Sequence, residues 1–251
     1  MEHHFRCTAC GSCCFGFLPL TWTDASARAD TFPIAFIWTA VRPDSKDHAY
    51  TASLGATVAA DGLSLAVQIT PTAFIPPSFP CPALMDDKRC ALHGEKKPLR
   101  CRTMPLYPYR EERFQGEVLS PRTGWRCDTS DAAPVIYDGK NVLERTDFDR
   151  EKDALTAQVP FLRRYAEYMQ KYSPWLPANL LKASEHGGGT AVTSLASFLT
   201  ATREPNASDI ARRQMPVLAA FAERTAGNGR LKEFHAYYTN GEKEMGYLAK
   251  R

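Results

Sequence analysis

Cys7-Thr8-Ala9-Cys10-Gly11-Ser12-Cys13-Cys14 sets four sulfur atoms within eight residues, around a glycine that permits a tight turn. Thiolates this dense suit soft or borderline metals: zinc, or iron in an iron–sulfur cluster such as [4Fe-4S]. Cys7, Cys10 and Cys13 stand at the C-x2-C-x2-C spacing, and each C-x2-C pair closes a small chelate loop. Cys13 and Cys14 are adjacent, and neighbouring side chains in extended backbone point in opposite directions. They are therefore expected to serve different metals, or one cluster with more than one metal atom.

Four further cysteines follow, Cys81, Cys90, Cys101 and Cys127, and none stands beyond residue 127. Two four-thiolate sites are the simplest count for eight cysteines, and one cluster with spare thiols is the next. In bacterial ferredoxins the triple spacing is completed by a distant cysteine followed by proline. Cys81-Pro82 has that form.

A chain of 251 residues, 44% hydrophobic and 24% charged, can bury a full core without disulfides. That disfavours a disulfide scaffold, which belongs to short secreted chains. No secretory signal is visible, since the cysteines begin where its apolar stretch would lie. The most apolar runs, Phe32–Val41 and Ala191–Leu199, reach only about half of the roughly 20 residues a membrane span needs. A cytoplasmic location, with thiols kept reduced and no membrane partner, is the expectation. The formal charge of +3 counts cysteines as neutral. Eight thiolates on two divalent ions subtract four charges and leave −1. With no concentrated basic stripe, a nucleic-acid partner is disfavoured.

The fold class expected is α+β. Residues 1–145 read as a loop-rich cysteine-cluster metal-binding region with short strands, and residues 146–251 as a mainly helical region. In the first part, Thr23 is placed to cap a brief helix over Asp24–Ala29. Leu63, Leu65, Val67 and Ile69 alternate after Asp61-Gly62, which predicts a hairpin. Val135-Ile136-Tyr137 before Asp138-Gly139 predicts a second. Pro71, Pro76, Pro77, Pro80, Pro82, Pro98, Pro105 and Pro108 argue against long regular elements between them. In the second part, Thr146 and Asp149 match a capping box. Leu155, Val159, Leu162, Ala166 and Met169 then define one face of a helix, with Pro160 inside it. Pro177 is placed to open another helix, stopped by Gly187-Gly188-Gly189. Val192, Leu195 and Leu199 mark a third. Asn206 or Ser208 is placed to cap a fourth, ending near Gly227.

The combined pattern closely resembles the YkgJ-type cysteine-cluster family. It runs Phe5-x-Cys7-x2-Cys10-Gly11-x-Cys13-Cys14, Cys81-Pro82-x-Leu84, Cys90, then Pro98-x2-Cys101-Arg102-x2-Pro105. The resemblance covers residues 5–105, with Cys127 a further member, and leaves out the helical remainder. It implies a zinc- or iron-chelating protein in which the metal ion is the partner and any protein partner is unidentified. The family's relatives include flagellin lysine N-methylases, so an enzyme that modifies protein side chains is the alternative. The chain departs from the pattern at His93, where tyrosine is usual, and at Lys97, where arginine precedes the proline. It is also one residue longer between Cys90 and Cys101.

His93 is a candidate added ligand. Arg6, Arg89, Arg100 and Arg126 each precede a cysteine and Arg102 follows one, so they could offset thiolate charge. No G-x-G-x-x-G, P-loop, H-E-x-x-H or C-x3-C-x2-C pattern is present, and no catalytic residue or organic cofactor site is legible.

Overall fold

The structure is a computed structural model that describes residues 2–94, 96–119, 121–122, 124–185 and 189–250. Its architecture is α+β. In chain order the elements are β1 (His3–His4), β2 (Leu18–Pro19), α1 (Trp22–Ala27), β3 (Ile34–Val41), α2 (His48–Leu54), β4 (Ala56–Ala60), β5 (Leu63–Ala73) and α3 (Leu99–Thr103). Then come β6 (Val135–Tyr137), α4 (Arg145–Tyr172), α5 (Trp175–Glu185), β7 (Thr190–Ser194), α6 (Leu195–Thr202), α7 (Ala207–Thr225) and α8 (Lys232–Leu248).

One antiparallel sheet runs β2-β5-β3-β7, and β4 pairs with the first half of β5. The predicted hairpin is β4–β5. Asp61 and Gly62 have φ of +47° and +75° and join Ala60 to its partner Leu63. Two left-handed residues match the twist of the strands they connect. β5 continues past the predicted alternation to Ala73 and passes through Pro71, whose carbonyl accepts from the Leu20 N–H at 2.8 Å.

The middle strand, β3, comes from the apolar run at Phe32–Val41. Phe36 and Trp38, two residues apart and so on one face, are fully buried. Phe36 stacks on Phe198 of α6 at 4.2 Å, and Tyr165 of α4 meets both Phe36 and Trp38. The Trp38 indole N–H and the Tyr165 hydroxyl both donate to Thr193 Oγ1 of β7, each at 2.7 Å. These bonds satisfy polar groups that would otherwise be costly to bury.

The long helix α4 carries the predicted stripe, and Leu155, Val159, Leu162, Ala166 and Met169 are all buried. Its start differs from expectation. Glu144 is the N-cap and makes no side-chain capping bond. Arg145 instead ties Asp149 and Glu112, each at 2.6 Å. At α1 the cap is Thr21, which accepts from the Asp24 N–H, and Thr23 lies inside the helix. Val192 belongs to β7, and the third helix starts only at Leu195, capped by Ser194. Asn206 precedes α7 without a side-chain bond. Gly187 and Gly188 lie outside the described residues. The final helix, α8, packs against α7 and was not among the expected elements.

The main core draws on both sides of residue 145. It joins Leu20, Phe36 and Ile69 to Leu162, Phe198, Phe221 and Tyr238. A second, smaller cluster holds Phe5, Leu106, Leu119, Ile136, Tyr137, Val142 and Phe148, with Cys127 packed on it. β1 pairs with β6 over this cluster, and Asp138–Asn141 closes the second predicted turn. Among the described residues no helix is long and apolar enough to cross a membrane.

Candidate metal centre

The eight cysteines lie on four separate segments. The first is the loop from Cys7 to Cys14. Gly11 has φ of +71°, and a Cβ there would sit 3.1 Å from the Leu84 side chain and 3.2 Å from the Lys88 carbonyl oxygen. Glycine is thus required both by the turn and by the close approach of the Leu84–Lys88 loop. The Cys14 N–H closes the turn onto the Gly11 carbonyl at 3.0 Å.

Backbone hydrogen bonds place the other cysteines against this loop. Arg6 and Asp128 exchange N–H···O bonds of 2.8 and 3.1 Å, and the Thr8 hydroxyl donates to the Arg126 carbonyl at 2.8 Å. Cys127 therefore lies beside Cys7 and Cys10. On the other side the Cys81 N–H donates to the Cys14 carbonyl at 2.9 Å, next to a bridge between Phe15 and Pro80. A tight loop then returns Cys90 beside Leu84. Cys101 sits on the short helix α3.

That helix is clamped by polar contacts rather than by a deep apolar face. The Leu99 N–H donates to Asp24 Oδ2 of α1 at 2.9 Å. Arg102 pairs with Asp147 of α4 at 2.8 Å, and the Thr103 hydroxyl donates to the Asp147 carbonyl at 3.1 Å. Arg100 is buried, lies 3.4 Å from Glu151 of α4, donates to the Leu106 carbonyl and stacks over Tyr107. Burial holds the Glu151 carboxyl above its ordinary range, against the pull of Arg100.

The thiols act on one another across these segments, Cys13 on Cys14, Cys81, Cys101 and Cys127. The Ser12 hydroxyl, 3.3 Å from Cys10, and the Ser12 N–H lower the Cys10 thiol to about 6. A hydrogen bond from the Cys14 thiol lowers Cys13 to about 7, with Lys97 helping. Cys14 is raised by that same bond, then by burial and by the charges of Cys13, Cys81 and Cys101. Burial raises Cys81, with Cys90 and Cys13 adding to it, and pushes Cys101 up to about 12, where Lys97 works the other way. Cys127 is raised by burial and then by Cys10, Cys13 and Cys7.

All eight cysteines are free thiols. The Cys81 N–H bond to the Cys14 carbonyl joins two of the predicted positions that are far apart in sequence. Among the described residues no group of three or more His, Cys, Asp or Glu side chains is drawn together as a closed cation site. The donor set is nevertheless entirely sulfur, which fits zinc or iron and not a hard cation.

The expected arginine partners are mostly engaged elsewhere. Arg6 pairs with Asp128 at 3.5 Å, Arg89 with Asp87 at 2.6 Å, and Arg100 and Arg102 with the carboxylates of α4. Arg126 acts through its backbone N–H, which reaches Cys10. Lys97 favours the thiolates of Cys13 and Cys101, the latter together with Arg100, and its signal in the sequence is its place before Pro98, where the resembled family has arginine. His93 is exposed in the turn after Cys90, its N–H donating to the Cys90 carbonyl at 3.1 Å.

The chain matches no family model, no curated protein and no solved structure. The likeness to the YkgJ-type proteins therefore rests on the cysteine motif alone.

Proposed function

We propose that this chain is a cysteine-cluster protein of the YkgJ type that binds zinc or iron through its thiolates. One observation carries the reading. Eight thiols sit on four loop-rich segments tied by single bonds, Arg6–Asp128, Cys14–Cys81 and the α1–α3–α4 contacts. Exposed and half-buried thiols on proline-rich loops contribute little to a hydrophobic core, whereas a bound ion would tie the loops together. Lys97 offsets part of the negative charge that thiolates at Cys13 and Cys101 would bring. The reducing cytoplasm is the compartment in which these thiols would stay available.

The test is anaerobic purification followed by elemental and sulfide analysis. Zinc at about one ion per four thiolates, colourless because its d shell is filled, is one supporting result. Iron with sulfide and charge-transfer absorption is the other. Protein that contains neither metal, takes up neither on reconstitution and keeps all eight thiols open to alkylation would overturn the reading.

A further inference from the structure

We propose that the aromatic shelf beginning at Phe15, directly after the cysteine loop, is a docking surface for an acidic, apolar segment of another protein. The proposal goes beyond the metal-binding reading and does not depend on it. Phe15 and Phe17, two residues apart, are each 46% exposed. Single apolar side chains in water are ordinary, but a contiguous group of them marks a contact surface.

The rings behind them make the surface contiguous. Phe17 stacks on Phe74 at 5.1 Å and lies 5.9 Å from Phe234 of α8, which itself stacks on Phe74 at 4.6 Å. Phe74 is buried in the main core, so the outer rings rest on a fixed floor. The Gly16 N–H donates to the Phe79 carbonyl at 3.2 Å, and Phe15 bridges to Pro80. A Cβ on Gly16 would lie 3.2 Å from Pro77 Cα, so the chain between the two exposed rings lies close against the 76–80 turn. Half-buried rings held in this way give contact area at a small cost in side-chain freedom.

Arg224 of α7 sets the charge of the partner. Its guanidinium lies over Phe79 at 4.6 Å and over Phe221 at 5.0 Å, and the residue is exposed. Among the described residues it makes no ion pair, whereas Arg100, Arg102, Arg110, Arg145 and Arg213 are each paired with a carboxylate. Residues 15–20 and 71–80 carry no charged side chain, and between Phe221 and Phe234 three cations stand against two acids. The shelf is therefore apolar with a positive margin, and a segment that mixes apolar side chains with carboxylates complements it. A guanidinium already held over rings loses little freedom when a carboxylate reaches it. The shelf starts one residue after Cys14, so a segment docked there lies beside the thiol loop.

The experiment follows the fluorescence anisotropy of a labelled short peptide of alternating leucine and glutamate as full-length protein is added. Versions with glutamine or lysine in place of glutamate are the comparison. The glutamate peptide is expected to bind saturably, about tenfold or more tighter than the lysine peptide. Phe15→Ala and Phe17→Ala should each weaken it about tenfold. The Phe15 ring is half exposed, so the urea midpoint of Phe15→Ala should stay at the wild-type value and separate lost binding from lost folding. Arg224→Gln should keep the glutamine peptide bound and remove the preference for glutamate. Equal binding of all three peptides, or glutamate-peptide binding untouched by Phe15→Ala and Phe17→Ala, would overturn the proposal. Dimerisation of the wild type that Phe17→Ala abolishes, with no peptide bound, would give the shelf to a second copy of this chain and overturn it. Binding to phosphatidylcholine vesicles with no peptide bound would give it to a lipid surface and overturn it as well.

Discussion

The two apolar clusters of this molecule are built from different materials. The main one stacks aromatic rings of β3, α4, α6 and α8 across a five-stranded sheet, and Phe36, Trp38, Tyr165, Phe198 and Tyr238 are all buried there. The smaller one has seven buried residues and a two-stranded ladder whose strands have two and three residues. Around it, chain position is fixed by lone hydrogen bonds, carboxylate–arginine pairs and Gln115. That side chain is fully buried and bonds the Tyr107 N–H and the Tyr107 and Arg110 carbonyls. A body stabilised by burial tolerates the loss of a ligand, and a lobe stabilised by a few polar ties does not.

The largest expected effect separates the regions directly. Structural zinc contributes roughly 10–16 kcal/mol in small modules, comparable with the whole stability of a domain. Hydrogen exchange on chelator-treated protein should show residues 6–15, 80–102 and 126–128 losing protection, while β3, β5 and α4 keep theirs. Uniform loss would break the comparison and make the molecule one cooperative unit with its metal.

Next comes the body. Phe36→Ala removes a fully buried ring between Phe198 and Tyr165 and is expected to cost about 3–5 kcal/mol. In urea the midpoint should fall with unchanged slope. The metal content of the protein that remains folded should stay at the wild-type level.

A smaller effect is expected at the seam. Arg100→Met leaves Glu151 buried without its cation and should cost about 3 kcal/mol. The double variant Arg100→Met/Glu151→Leu should recover most of that loss, since no uncompensated charge remains. If it recovers nothing, α3 is held by the specific geometry of the pair rather than by charge balance.

The smallest pair compares one conformational penalty in two settings. Gly62→Ala, at φ +75° with nothing near the new Cβ, should cost about 1–2 kcal/mol. Gly11→Ala carries the same backbone penalty plus contacts with Leu84 and the Lys88 carbonyl, so its midpoint shift should be larger. Equal shifts would show that the cysteine loop can give way where the hairpin cannot.

The sequence made some of this legible, for identifiable reasons. The Asp61-Gly62 hairpin and the α4 stripe were readable because turn chemistry and a 3.6-residue period are local signals. β3 was not, because a strand enclosed by neighbours shows a continuous apolar run without alternation. Val192 matched a helical spacing with Leu195 and Leu199, and the pairing of Ile37 with Val192 overrode it. Thr21 and Thr23 are both acceptable caps in isolation, and the Asp24 N–H selects the first. At the site, all eight cysteines were visible by type. Which segments meet was not, because it depends on the backbone bonds of Arg6 with Asp128 and of Cys81 with Cys14. The arginines beside the cysteines suggested thiolate partners, but Asp87, Asp128, Asp147 and Glu151 take most of them.

The pairing of β3 with β7 has a consequence for biosynthesis. All eight thiols precede residue 128, yet β3 gains its second neighbour only when residues 190–194 have been made. The ribosome therefore delivers every cysteine while the sheet still has an open edge and its covering helices are unfinished. Long-range strand pairing of this kind is slow and exposes apolar surface in the meantime. In that interval the nascent chain presents eight free thiols before the sheet that anchors their loops is complete.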